Sequence, residues 1–138
     1  MNPFFENSIA KIFYDEALDT LFLEYLSKVP GDESFIEINS ALLKAFCTLK
    51  TQKFVADIRK MGMISVNSQK WVIENLLPGM MKHLNGKMLY HAQMLDPKDI
   101  LSKVSGTNIR SKSKDIAQGF EVLQFSERKD LEDYLRSR

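Results

Sequence analysis

The chain has one cysteine, two histidines and six glycines that never cluster. A single cysteine leaves no intrachain disulfide, and this usage suits a reducing, cytoplasmic setting. Cys47 lies in a helical apolar pattern with no adjacent histidine or basic residue to lower its thiol pKa, which predicts a buried structural role. The scattered glycines build no phosphate loop, dinucleotide fingerprint or nucleophile elbow, so no cofactor is expected. His83 and His91 stand in no metal-ligand spacing with cysteine or acidic residues, so no metal is expected either. His91, within a strand-like run, reads as a half-buried histidine with its hydrogen bonds satisfied.

No stretch approaches the roughly 18 apolar residues that span a bilayer, and the opening Met-Asn-Pro-Phe-Phe-Glu-Asn lacks the basic and apolar regions of a secretion signal. Neither a membrane span nor export by that route is expected. Nineteen basic residues oppose eighteen acidic ones, and a net charge of +1 supplies no bulk field for nucleic acid. Arg110, Lys112 and Lys114 gather beside Thr107 and Asn108, but no aromatic residue interleaves them to stack bases. They read as a solvated loop, and no nucleic-acid partner is expected.

What is present is the composition of one globular domain over residues 1–138, with 44% hydrophobic and 27% charged residues, enough to bury a core. Ile9 to Tyr14 and Thr20 to Leu26 read as an antiparallel hairpin, in which Leu21, Leu23 and Tyr25 recur with period two on one face while Phe22 and Glu24 point to the other, so that one face should meet the core. Ser34 to Glu37 matches a capping box, and Phe35, Ile38, Leu42, Ala45, Phe46 and Leu49 continue as an amphipathic helix ending near Lys50. The apolar run Lys53 to Ile58 suits a central strand covered on both faces, with Asp57 near its C-terminal end. Asn67 or Ser68 caps a second helix through Trp71, Ile73, Leu76, Leu77, Met80 and Leu84, which Pro78 should bend or stop. Lys87 to Leu95 reads as a strand, Asp96-Pro97 opens a short helix to about Val104, and Ser105-Gly106-Thr107-Asn108 reads as a turn-rich break. A last strand, Phe120 to Phe125, precedes a terminal helix capped by Ser126 and carrying Leu131, Tyr134 and Leu135. The predicted fold is α/β, in the order β-β-α-β-α-β-α-β-α, with an N-terminal antiparallel hairpin joined to a mostly parallel mixed sheet by crossover helices.

That order, with the stretch Asp57-Ile58-Arg59-Lys60-Met61-Gly62-Met63-Ile64-Ser65, then Gln69-Lys70-Trp71, Leu77-Pro78 and Phe125 before the terminal helix, resembles the STAS family of anti-sigma-factor-antagonist-like domains. It looks most like the bacterial STAS/Sec14-like branch. The resemblance implies a non-catalytic regulatory module that docks an unknown protein partner. In such antagonists a serine at the start of the helix after this strand is phosphorylated, and the added charge controls docking. A gapless alignment from Asp57 puts Ser65 on the acidic position before the phosphoacceptor and Val66 on the phosphoacceptor itself. A shift of one or two residues brings Ser65 or Ser68 there instead.

The expected binding surface comprises Asp57, Arg59, Ser65, Asn67, Ser68 and Trp71. Free amides and the helix dipole near Ser65, Asn67 and Ser68 can hold an anion, though ordinary N-capping is the plainer reading. Asp57 is a lone carboxylate, and an exposed strand-end or loop-bonding role suits it better than general-base work. Met61, Met63, Met80, Met81, Met88 and Met94 crowd the middle third, where flexible thioethers fill a core or line an adaptable pocket. The pocket option is the alternative function, a small-molecule or lipid-binding domain of Sec14-like type taking a small apolar ligand. Exposed strand edges in such a sheet also invite a homodimer.

Overall fold

The computed structural model describes residues 3–98, 104–109 and 120–138. Among the described residues, six strands form one sheet: β1 (Phe5–Glu6), β2 (Ala10–Asp15), β3 (Thr20–Tyr25), β4 (Lys53–Asp57), β5 (Leu89–Met94) and β6 (Phe120–Phe125), hydrogen-bonded in sequence order. The β1–β2 and β2–β3 pairs are antiparallel, and the β3–β4, β4–β5 and β5–β6 pairs are parallel. The predicted α/β hairpin-plus-parallel-sheet fold is therefore what the chain forms, with the two-residue β1 as an unpredicted edge.

Each parallel strand is laid beside its predecessor, so crossovers of one hand deposit their helices on one face. That face packs Leu21, Leu23, Phe54 and Leu89 against Phe35, Ile38, Leu42 and Phe46 of α1 (Asp32–Phe46), and against Val72, Leu76, Met80 and Leu84 of the second crossover. Ile109 of α4 (residues 104–109) joins the same cluster. The opposite face carries Phe22, Val55, Ala92 and Met94 beneath Leu131, Tyr134 and Leu135 of α5 (Arg128–Arg136). Phe22 is thus as buried as Leu21 and Leu23, so β3 meets a core on both faces rather than one.

Several local expectations are corrected. α1 begins at Asp32 after Gly31, with no side-chain cap bond, so Ser34 lies inside the first turn and builds no capping box. The helix ends at Phe46, and Cys47 is its exposed C-cap rather than a core thiol, because it falls just past the buried stripe. Burial nonetheless pushes its thiol pKa upward. α2 (Val66–Trp71) is capped by Ser65, not by Asn67 or Ser68: the Ser65 side chain accepts from the Ser68 amide.

Pro78 neither stops nor simply bends the second crossover. A π-helical turn, Val72–Leu76, widens the helix just before it, with the Leu77 amide bonding the Val72 carbonyl, and α3 (Leu77–Leu84) then starts with proline in its first turn. Proline is tolerated there because first-turn amides need no helical acceptor. Asn85 and Gly86, with φ of 50° and 95°, end α3 in the left-handed region.

Pro97 and Lys98 form a turn in which Asp96 accepts from the Lys98 amide at 2.9 Å. The rest of the helix expected up to Val104 lies outside the described residues, as do Arg110, Lys112 and Lys114. Ser105 to Asn108 is helical, not a break. Turn propensity is overridden here by packing: the buried Ser105 hydroxyl accepts from the Ile64 amide at 3.0 Å, and Gly106 lets α4 press onto the sheet. α5 starts at Arg128 behind Glu127, so Ser126 is not its cap. At its other end the Lys53 ammonium reaches across from β4 to the Leu135 carbonyl at 2.8 Å, a cation at a helix C-terminus.

Candidate functional site

β4 delivers Asp57 to the C-terminal edge of the parallel strands, where open α/β sheets characteristically bind ligands. Its carboxylate is not free. Arg59 Nε donates to one oxygen at 2.9 Å, Arg59 Nη2 to the other at 2.6 Å, and the Arg59 amide closes the turn at 3.2 Å. This forked bond pushes the Arg59 pKa upward. The pair forms one wall of a crevice of about 230 Å³ shared with Glu24, Tyr25, Lys60 and Asp96. Asp57 bonds its loop, as expected, but from a buried position.

The loop over residues 58–65 is held at Met61 and again at Ile64. The Val29 amide donates to the Met61 carbonyl at 3.1 Å, and the Ile64 amide to Ser105. Gly62, at φ 76°, makes the turn between them, a conformation that a side chain disfavours. Gln69 is buried and returns its amide to the Ile64 carbonyl at 3.2 Å. Met61 consequently packs inward, whereas Met63 is 55% exposed and Val66 62% exposed.

Ser65 and Ser68 converge on Asp32, which no local motif marks. Both hydroxyls donate to Asp32 Oδ1, the Ser68 bond measuring 2.6 Å, while Ser65 Oγ also takes the Ser68 amide at 3.0 Å. The Ser65 bond, then the Ser68 bond, with a smaller one from Asn67, hold the Asp32 carboxyl below its ordinary range. The position where α2 could attract an anion is therefore taken by the protein's own carboxylate, which also opens α1. Ser68 is buried, and Ser65 and Asn67 are exposed. Trp71 is half-buried against the helical core and stands apart from this cluster. The expected surface thus divides into an Asp57–Arg59 pair, a Ser65–Ser68–Asp32 cluster and an inward-packed Trp71.

A second locus lies inside the sheet. His91 is 3% exposed, and among the described residues neither ring nitrogen has a hydrogen-bond partner, so it is neither half-buried nor satisfied. Its ring stacks on Phe54, and burial lowers its pKa from 6.5 to about 3, so the imidazole is neutral. Beside it is a cavity of about 30 Å³ whose polar lining is Tyr25, Asn39, Gln93 and His91. Asn39 Nδ2 donates to Tyr25 Oη at 3.1 Å and to the Phe35 carbonyl at 2.9 Å. The signal for these residues was in the pattern: His91 and Gln93 occupy inward period-two positions after Leu89, and Asn39 interrupts the apolar stripe of α1.

Asp57, Ser65 and His91 make no mutual hydrogen bond, and among the described residues no group of three or more His, Cys, Asp or Glu side chains is placed to hold a metal. No described helix is long and apolar enough to cross a membrane. No family model, curated protein or solved structure matches this chain.

Proposed function

We propose that this chain is a non-catalytic, cytoplasmic regulatory module of STAS-like type that docks a protein partner through the loop over residues 58–65 and the first turn of α2. The observation that carries this reading is the pair Met63 and Val66, two large apolar side chains held exposed on a loop clamped from both sides. Clamping lowers the entropy cost of docking. Exposed Lys60 and Lys70 flank the pair, and no acidic residue lies between Ile58 and Trp71. The nearby carboxylates, Asp57 and Asp32, already hold internal bonds. The surface therefore suits a partner that offers an apolar patch rimmed by acidic side chains.

The sheet order and the N-terminal antiparallel pair support the STAS-like assignment. A phosphoswitch is not part of the proposal, since a phosphate on Ser65 or Ser68 meets the Asp32 carboxylate. Lipid binding of Sec14-like type draws no support from an interior cavity of about 30 Å³, which holds one water-sized group.

The test is affinity capture with the full chain and with Met63→Glu/Val66→Glu, alongside Ser65→Ala/Ser68→Ala. The glutamate pair should lose a partner whose binding to the native chain weakens with salt. An unchanged partner profile, with Tm and circular dichroism also unchanged, rejects this surface.

A further inference from the structure

We propose that the crevice between the C-terminal ends of α1 and α3 binds the phosphate group of a small phosphomonoester, held by Lys50, Lys87 and His83. The crevice lies before β4 and β5, at the end of the parallel strands opposite the loop over residues 58–65, and it does not rest on the docking reading.

The near-neutral total charge conceals an uneven distribution. No acidic residue occurs from Ile38 to Ala56 or from Asn75 to Leu95, while those stretches carry Lys44, Lys50, Lys53, Lys82 and Lys87. The first stretch runs from α1 into β4, and the second runs through α3 and β5. Because β4 and β5 are parallel neighbours, the segments leading into them come together around a crevice of about 190 Å³ lined by Leu49, Lys50, His83, Leu84 and Lys87. The lining holds three basic side chains and no acidic one. Asp19 reaches this end of the sheet through its carbonyl, which accepts from the Thr51 hydroxyl, but its carboxylate already takes the Tyr14 hydroxyl at 2.6 Å.

Basic side chains at helix C-termini ordinarily bond the last carbonyls of the helix. Backbone amides take that role here. The Cys47, Thr48 and Leu49 amides donate to the Leu43, Ala45 and Phe46 carbonyls, and the Asn85 and Lys87 amides to Met81 and Leu84. The Lys50 and Lys87 ammonium groups are exposed and, among the described residues, hold no hydrogen bond or ion pair. His83 is exposed too, yet its ring is fixed. Its Nε2 donates to the Leu49 carbonyl at 2.8 Å, and the ring meets Phe46 edge to face with centroids 5.8 Å apart. Nδ1 is left on the other edge of the ring, an acceptor for a phosphate hydroxyl when the imidazole is neutral and a donor to a phosphate oxygen when it is charged.

The chemistry of the ligand follows from that lining. Two ammonium groups and an imidazole with no carboxylate among them select an anion, and a doubly charged phosphate gains more from the two lysines than a singly charged carboxylate or diester does. Leu49 and Leu84 add apolar surface for the organic body. At about 190 Å³ the crevice is smaller than the roughly 300–1,000 Å³ pockets that enclose drug-sized ligands, so that body is small.

The experiment titrates the full chain with phenyl phosphate and follows the ring signals of the two histidines by NMR, the buried His91 serving as internal reference. The His83 signals should move saturably while those of His91 stay, and the affinity should fall as salt is added. Methyl phenyl phosphate, with one charge fewer, should bind severalfold more weakly, and benzyl alcohol should not bind. Lys50→Gln/Lys87→Gln should lose about tenfold in phenyl phosphate affinity, whereas Lys129→Gln, an exposed lysine of α5, should keep it. Phosphatidylcholine vesicles with and without phosphatidic acid separate two sources of the same group. Pelleting only with phosphatidic acid supports the site with a lipid headgroup as the phosphate, and binding of phenyl phosphate without pelleting supports it with a soluble ester. Unmoved His83 signals, equal responses to phenyl phosphate and benzyl alcohol, or full affinity in the folded double variant overturns the site.

Discussion

The His91 ring lies on the Phe54 ring with centroids 3.9 Å apart and planes 11° apart, two neighbours on adjacent parallel strands packed face to face. An imidazole so placed gains dispersion contact while uncharged and loses heavily on protonation, since nothing around the cavity offers it a counter-charge.

This gives the folding equilibrium a defined acid limb. His91 binds its proton near pH 6.5 when unfolded and only near 3 when folded. Its contribution is whole above 6.5 and is lost as pH falls from there toward 3, at about 1.4 kcal/mol per pH unit. Urea unfolding at pH 7, 6, 5 and 4 should show His91→Phe losing less stability per unit than the native chain. Parallel curves would remove His91 from the acid limb.

Gly106 should resist even alanine. A Cβ built there falls 2.3 Å from Ile58 Cδ1 and 3.0 Å from Gln93 Oε1, so α4 must lift or Ile58 must move. Gly106→Ala should cost about 1–2 kcal/mol despite better helix propensity. In an Ile58→Val background, which lacks that methyl, the same change should be neutral or slightly stabilising. Additive losses in chemical denaturation would place the strain elsewhere.

Ser65 acts as a cap, and its neighbour is a carboxylate. Ser65→Ala should cost about 1 kcal/mol through the lost bond to the Ser68 amide. Ser65→Asp should be worse, because a second carboxylate then faces Asp32. Asp32→Asn should reverse the order of the two. Thermal melts of both Ser65 variants in the native and Asp32→Asn backgrounds, each against its own parent, settle the comparison, and a Ser65→Asp chain as stable as the native one contradicts it.

Lys53 is only 8% exposed and gives its ammonium to the end of α5. Lys53→Met keeps the stem and removes the charge. The last turn of α5 should fray, with faster amide exchange at residues 134–137 and a loss of about 1 kcal/mol. Unchanged exchange there would show that Leu131, Tyr134 and Leu135 suffice to hold the helix.

Much of the frame was legible because its causes are local. Leu21, Leu23 and Tyr25 alternate, and Phe35, Ile38, Leu42 and Phe46 return at helical spacing; all of them are buried where those periods put them. Of the two plain roles open to Asp57, an exposed strand end or a loop-bonding residue, the second is what forms, and its partner Arg59 is only two residues away. Cap positions were less legible. Ser34, Asn67 and Ser126 are all good capping types, but Gly31, Ser65 and Glu127 occupy the caps, because the start of each helix depends on how its apolar face meets the sheet.

The sequence by itself determined the α/β class, the hairpin, the order of the longer strands and the inward faces of α1 and of Leu21, Leu23 and Tyr25, because alternation and helical spacing act between near neighbours. Only the tertiary structure decided the candidate sites. Ser105 meets Ile64 across 41 residues, Asp32 meets Ser68 across 36, and Lys53 meets Leu135 across 82, none of them foreshadowed by a motif. His91 carries the same lesson. Its strand position was readable, but a ring with two unpartnered nitrogens arises only when β3, β4, β5 and α1 close around it, and no local pattern encodes what a distant element withholds.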